Sequence, residues 1–325
     1  MRLPDREDPV TTKHLLDPEL HPLLELFPPF DLDDEQLGLM RNSPAMMMEP
    51  GDPAEAGVTR EEIHADGGGG PDVRALLYRP SGKTASGAGY LHIHGGGYVL
   101  GTPEASDATN LEICARLGVV VLSVDYRLAP EHPIPAPLDD CYTGLAWLHA
   151  KAPALGVDRE RIGIGGESAG GGLAAALAIR ARDAGEYAIC HQHLTYPMLD
   201  DRTGTPEQPG DPVVGEFIWT RESNQYGWRS YLGDAPARPP QVPGRLEDFT
   251  GLPATWMATA ALDLFRDENI EYALKLMEAG VRTELISYPA ACHGFQMVPG
   301  TELAGRYARD HLHALARGLG VPVPS

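Results

Sequence analysis

An α/β fold built on a mainly parallel sheet is what this 325-residue sequence predicts. Two observations carry the prediction. From residue 73 onward, short apolar runs of strand length alternate with amphipathic helical patterns, as expected where crossover helices cover both faces of a sheet. At one of these junctions stands Gly166-Glu167-Ser168-Ala169-Gly170, between an apolar run and an alanine-rich helical pattern. In that setting a G-x-S-x-G pentad reads as a sharp strand-to-helix turn with a serine at its apex.

The elements follow in order. Residues 17–27 read as a helix: Asp17 is a cap with Pro18 at the first helical position. Leu20, Leu23, Leu24 and Phe27 then share one face. A second helical stretch runs from about Asp33 and ends before Pro44. One short strand is expected at 58–64, followed by a hairpin turn in the glycine run 67–70. The alternating region supplies strands at 73–78, 89–94, 119–124, 161–165, 189–196, 254–260 and 283–288. Its helices fall near 109–117, 138–151, 168–183, 268–279 and 301–317. The strands at 58 and 73 precede the alternation and are placed at an antiparallel edge. Residues 200–248 break the rhythm with Pro, Gly and aromatics, among them Phe217, Trp219, Tyr226, Trp228 and Tyr231. A long stretch of this kind inside an α/β domain reads as a functional insertion such as a lid.

Composition narrows the class of partner. A hydrophobic fraction of 42% and a charged fraction of 22% describe an ordinary globular chain. A formal charge of −20 argues against nucleic acid and anionic membrane, which need basic patches. Four scattered cysteines, Cys114, Cys141, Cys190 and Cys292, suit reduced thiols. No apolar run approaches a membrane span, and MRLPDREDPV lacks the apolar core of a signal peptide. The expectation is a cytoplasmic protein.

A serine hydroxyl is a poor nucleophile until an oriented base takes its proton. On an α/β sheet the order of these groups is serine, then acid, then histidine. His293 follows the last expected strand and suits the base. His191 and His193 lie within a strand, ahead of any suitable acid, and His311 and His313 fall on the terminal helix, at its surface. Asp263 follows the strand at 254–260 and suits the acid; its rival Asp267 sits where the next helix starts and reads as an N-cap. The tetrahedral intermediate also needs backbone donors for its oxyanion. His94-Gly95-Gly96-Gly97, directly after the strand at 89–94, lets the backbone approach a reacting carbonyl closely. By chance such a tetrad occurs roughly 0.02 times in a chain of this length, against about 0.1 for the pentad, so it is the more specific of the two motifs.

These segments together resemble the hormone-sensitive-lipase-like family of α/β-hydrolase carboxylesterases. The resemblance extends to His94-Gly95-Gly96-Gly97-Tyr98-Val99-Leu100-Gly101, to Asp125-Tyr126-Arg127-Leu128-Ala129-Pro130-Glu131-His132-Pro133 and to Tyr196-Pro197-Met198-Leu199-Asp200. It implies an α/β-hydrolase fold: a central, mostly parallel eight-stranded sheet flanked by helices, with a helical cap. It implies a single domain over 1–325, its cap formed by about 1–50 and 200–248. Ser168 would be the nucleophile, His293 the base and Asp263 its orienter. The amides of Gly96, Gly97 and Ala169 would form the oxyanion hole, and Tyr98, Trp219, Leu264 and Phe295 would line the substrate pocket. The activity implied is hydrolysis of short-to-medium acyl esters through an acyl-enzyme, with no cofactor and no metal. The partner is a small-molecule ester, and a homodimer is left open. Two positions depart from the family pattern: Glu167 stands where many relatives carry Asp or Thr, and Leu264-Phe265 where Pro-Leu often follows the acid.

Other readings meet specific obstacles. His92-x-His94 and His191-x-His193 each put two imidazoles on one strand face, a possible metal geometry, but no H-E-x-x-H accompanies them. Gly163-x-Gly165-x-x-Ser168 lacks the third glycine of a dinucleotide fingerprint, and Gly82-Lys83-Thr84 has Leu77 where a P-loop needs glycine. A non-catalytic receptor on the same fold would have lost a triad residue, and here all three are present. An amidase or lactonase would use the same groups.

Overall fold

The structure is a computed structural model that describes residues 11–27, 31–43, 50–67, 70–82 and 85–324. Gly68, Gly69, Lys83 and Thr84 lie outside the described residues, as do residues 1–10, 28–30 and 44–49 of the expected cap. Eight strands form one sheet: β1 (Val58–Ala65), β2 (Val73–Pro80), β3 (Gly89–Ile93), β4 (Val120–Val124), β5 (Ile162–Glu167), β6 (His191–Thr195), β7 (Ala254–Ala260) and β8 (Thr283–Tyr288). Their order is β1-β2-β4-β3-β5-β6-β7-β8. β1 pairs antiparallel with β2, and β2 with β4; every later pair is parallel. The expected antiparallel edge is therefore present, and the parallel remainder is covered by helices. All of β3, β4 and β6 is buried, as strands sandwiched between helix layers must be.

The flanking helices are α3 (Asp107–Leu117), α4 (Ala136–Leu155), α5 (Ala169–Ala184), α7 (Arg266–Glu278) and α8 (Glu302–Gly318). α4 runs longer than its periodicity predicts. Pro137 is tolerated in its first turn, where amides have no helical acceptor, and Gly156 ends it in a left-handed conformation at φ 68°. α5 can lie close to the sheet because its first turn is glycine-rich. A Cβ on Gly170 would come within 2.1 Å of the Ile93 carbonyl oxygen.

Two expected details are corrected. His311, expected at the surface of the terminal helix, is 4% exposed, because the buried face of α8 runs through Tyr307, His311, Leu312 and Leu315. Asp267, expected as an N-cap, lies inside the first turn of α7, and its carboxylate pairs with Arg266 at 2.7 Å.

The N-terminal stretch and the insertion meet. Pro18–Leu20 is a 3₁₀ turn, with the Asp17 carboxylate accepting from the Glu19 amide, and it runs into α1 (His21–Leu26). Leu20 and Leu23 pack in one cluster with Tyr196, Phe217 and Phe295. α2 (Asp34–Arg41) precedes the sheet, and α6 (Arg221–Leu232) forms the insertion's helix. The Leu32 amide donates to Ser223 Oγ at 3.0 Å, Thr220 Oγ1 to Asp31 at 3.0 Å and Tyr226 Oη to Asp34 at 2.7 Å. No helix among the described residues is long and apolar enough to cross a membrane, and all four cysteines are free.

Candidate active site

Ser168 stands at the end of β5, before the first residue of α5. Its backbone has φ 54° and ψ −121°, a conformation that L-residues avoid and that costs on the order of 1–3 kcal/mol. The surroundings enforce it. The Ser168 amide donates to the Thr195 carbonyl at 2.9 Å, while its carbonyl accepts from Gly172 and Met198, each at 3.0 Å. The turn is thus held from β6 and from the segment that follows β6, and it presents Oγ at the carboxyl edge of the sheet.

Asp263 follows β7 and His293 follows β8. The two loops are joined by backbone bonds from Ala261 to Tyr288 at 3.0 Å and from Leu262 to Ala291 at 2.9 Å. His293 Nδ1 lies 2.7 Å from Asp263 Oδ2, and Nε2 lies 3.0 Å from Ser168 Oγ. The other carboxylate oxygen of Asp263 accepts from the Phe265 amide at 3.0 Å. A carboxylate only accepts, so His293 donates from Nδ1 and leaves Nε2 bare toward the hydroxyl. The three side chains are nearly enclosed, at 6%, 1% and 8% exposed for Ser168, Asp263 and His293. The His293 ring packs on Tyr196 at 4.4 Å and edge-on to Phe265 at 5.5 Å. Burial pushes the neighbouring Cys292 thiol up to about 12, which keeps it protonated and unreactive.

The glycine loop is oriented by its carbonyls. His94 Nδ1 donates to the Gly95 carbonyl at 2.8 Å, and the Val99 and Leu100 amides donate to the Gly96 carbonyl at 3.0 and 2.8 Å. The N–H and C=O of a trans peptide unit point in opposite directions. Tying back those carbonyls therefore turns the Gly96 and Gly97 amides the other way. Among the described residues, those amides and that of Ala169, at the start of α5, donate to no backbone acceptor. Burial holds the His94 imidazole down to about 4, so it stays neutral. Its ring stacks on Tyr126 at 4.3 Å, and Tyr126 Oη donates to the His94 carbonyl at 3.0 Å.

The expected pocket residues divide into two pairs. Trp219 lies over the glycine loop: a Cβ on Gly97 would come within 2.2 Å of its ring. Leu264 is buried beside Asp263, against Gly215. Tyr98 and Phe295 are fully buried. Tyr98 Oη donates to the Met198 carbonyl at 2.9 Å and its ring stacks on Tyr231, while Phe295 packs against Tyr288 and Tyr307.

Sequence reasoning passed over several residues. Ile218 has φ 64°, an outlier for a β-branched side chain. The Trp219 amide donates to the Phe217 carbonyl at 2.7 Å, closing a strained γ-turn that delivers the Trp219 ring. Tyr196 backs His293; in the sequence it stands as the first residue of the resembling segment 196–200, with no site role assigned. As for metals, no group of three or more His, Cys, Asp or Glu side chains among the described residues is arranged to hold an ion. His92 and His94 point to separate partners, and His191 hydrogen-bonds to His193 at 3.2 Å.

A sheet of this order, with a serine turn after β5, an acid after β7 and a histidine after β8, defines the α/β-hydrolase class. A family model described as alpha/beta hydrolase fold matches residues 90–297, and the chain belongs to this family, among its hormone-sensitive-lipase-like esterases. It is 32% identical over 298 residues to Esterase LipI of Mycobacterium tuberculosis, covering 90% of this chain and 92% of that one. It is 34% identical over 295 residues to Carboxylic ester hydrolase LipN of the same organism, covering 86% and 77%. Among solved structures it is similar to a bacterial heroin esterase, with a TM-score of 0.85 and 38% identity over 95% of this chain and 99% of the other. It is also similar to esterase LipW from Mycobacterium marinum, with a TM-score of 0.84 and 35% identity over 96% and 98%.

Proposed function

We propose that this chain is a serine carboxylesterase that hydrolyses short-to-medium acyl esters of small molecules. The observation that carries the reading is the unbroken chain from Asp263 through His293 to Ser168, at 2.7 and 3.0 Å. In this reading Ser168 Oγ attacks the ester carbonyl while His293 Nε2 takes its proton. Asp263 keeps the imidazole in the required tautomer and stabilises its cation. The amides of Gly96, Gly97 and Ala169 receive the oxyanion. His293 then returns the proton to the leaving alcohol, and water repeats the sequence on the acyl-enzyme. No residue in this scheme calls for a cofactor or a metal.

The N-terminal stretch and residues 200–248 act as a cap on a single α/β-hydrolase domain, a reading supported by the Leu32 amide donating to Ser223 and by Thr220 and Tyr226 donating to Asp31 and Asp34. Trp219 and Leu264 serve as pocket wall, and Tyr98 and Phe295 back that wall from the core.

The test is Ser168→Ala assayed on a series of nitrophenyl esters of increasing acyl length, with a melting curve for each preparation. The expected outcome is a folded protein with turnover lost for every ester. A folded variant that retains near-parental turnover overturns the reading. In the parent, the same series should peak at short or medium acyl chains.

A further inference from the structure

The parallel ladder between β3 and β5 ends at the pair Ile93 and Gly166. Beyond it one chain enters the glycine loop and the other the serine turn. Their separation sets the distance between nucleophile and oxyanion donors, yet no further backbone pairing between the two strands fixes it. A side-chain contact crosses the gap at this point. Glu167, the residue before Ser168, meets His92, two residues before His94, with Oε2 3.1 Å from Nε2. His92 is 1% exposed and is anchored from behind. Its Nδ1 lies 3.1 Å from Ser123 Oγ on β4 and 3.4 Å from Asn110 Nδ2 on α3. Asn110 Nδ2 can only donate, so Nδ1 accepts and Nε2 carries the proton given to Glu167. The backbones also touch here, since a Cβ on Gly95 would come 3.1 Å from the Glu167 carbonyl oxygen.

We infer that the Glu167–His92 contact is a positioning strut that holds the Ser168 turn in register with the Gly96 and Gly97 amides. This rests on the serine esterase reading. Glu167 and His92 are positioning residues: they act through Ser168 and the glycine loop. A charge-assisted hydrogen bond in an enclosed site is stronger and shorter than a neutral one, which suits a fixed spacer. Burial opposes ionisation of Glu167, but His92, with smaller contributions from His311 and the Glu167 backbone amide, holds the carboxyl below its usual range. The strut therefore persists at neutral pH as carboxylate and N–H donor. Misplacing reacting groups by about 1 Å costs on the order of 100-fold in rate, so loss of the spacer should appear in kcat, with substrate binding left largely intact.

The test compares Glu167→Ala, Glu167→Gln and Ser168→Ala on one nitrophenyl ester, reading kcat and KM separately. The strut predicts that Glu167→Ala lowers kcat by roughly 10- to 100-fold with KM within about 2-fold. Glu167→Gln, whose amide oxygen still accepts from His92, should stay within roughly 5-fold of the parent. Three results overturn it: Glu167→Ala with unchanged kcat, a loss confined to KM, or Glu167→Gln as impaired as Glu167→Ala. Should Glu167→Ala fail to fold, His92→Phe removes the donor from the other side, and the same kcat criterion decides. Turnover that survives Ser168→Ala overturns the esterase reading itself. An inactive Ser168→Ala beside a fully active Glu167→Ala overturns the strut alone.

Discussion

His293 and His193 are both buried imidazoles engaged through both ring nitrogens, and their neighbours differ in one respect. His293 lies between a carboxylate and a hydroxyl. His193 lies between two other imidazoles, 3.2 Å from His191 and 3.0 Å from His311, and stacks on Trp256 at 4.2 Å. No acid side chain hydrogen-bonds to that second cluster among the described residues. Burial holds His191 and His311 down to about 4 and pushes His193 well below its usual range. A buried imidazole with a carboxylate behind it can accept a proton in passing. One with only imidazoles around it is kept neutral and serves packing.

The largest expected effect tests the carboxylate. Asp263→Asn keeps the shape and removes the charge, so kcat on a nitrophenyl ester should fall about 10⁴-fold with the fold intact. A loss below about 10-fold would erase the distinction between the two clusters. The second prediction concerns acid. The unfolded chain binds protons at these histidines near pH 6.5, whereas in the folded chain His191 and His311 do so only near 4 and His193 is shifted in the same direction. Their contribution is therefore fully present above about pH 6.5 and is lost as pH falls from there to 4, by several kcal/mol between them. Urea midpoints at pH 7, 6, 5 and 4 should trace this decline. His193→Phe should flatten it while leaving neutral-pH turnover within about 2-fold of the parent. The smallest effect belongs to Glu268. Burial raises its carboxyl well above the usual range, against hydrogen bonds from Thr203 and the Leu199 amide. A carboxyl that burial biases toward its neutral form loses little as an amide, so Glu268→Gln should change unfolding free energy by less than about 1 kcal/mol. A larger loss in a denaturant titration would mean that the carboxylate form carries the contact.

These contrasts bear on what could be read in advance. The strands, the serine turn, the glycine loop and the order Ser168, Asp263, His293 were legible because each depends on local pattern or chain order. The antiparallel edge was legible because the strands at 58 and 73 come before the first crossover helix. What escaped depends on pairing between distant segments. Glu167 and His92 are 75 residues apart and meet because β3 and β5 are neighbours in the sheet. His311 was assigned to the surface because histidine counts as polar in a periodicity, yet its spacing of four from Tyr307 puts it on the buried stripe of α8. Ile218 carries no turn signal at all; its positive φ goes with the placing of Trp219 over Gly97, a contact between segments distant in the chain.

The groups of the site also differ in when they exist. Ser168 and His293 are 125 residues apart in the chain. A ribosome adding roughly 5–20 residues each second finishes the glycine loop and the serine turn on the order of ten seconds before it reaches the histidine. Until then the serine is an ordinary alcohol. In the proposed triad, the growing polypeptide is silent toward esters until His293, in the loop after β8, has been made.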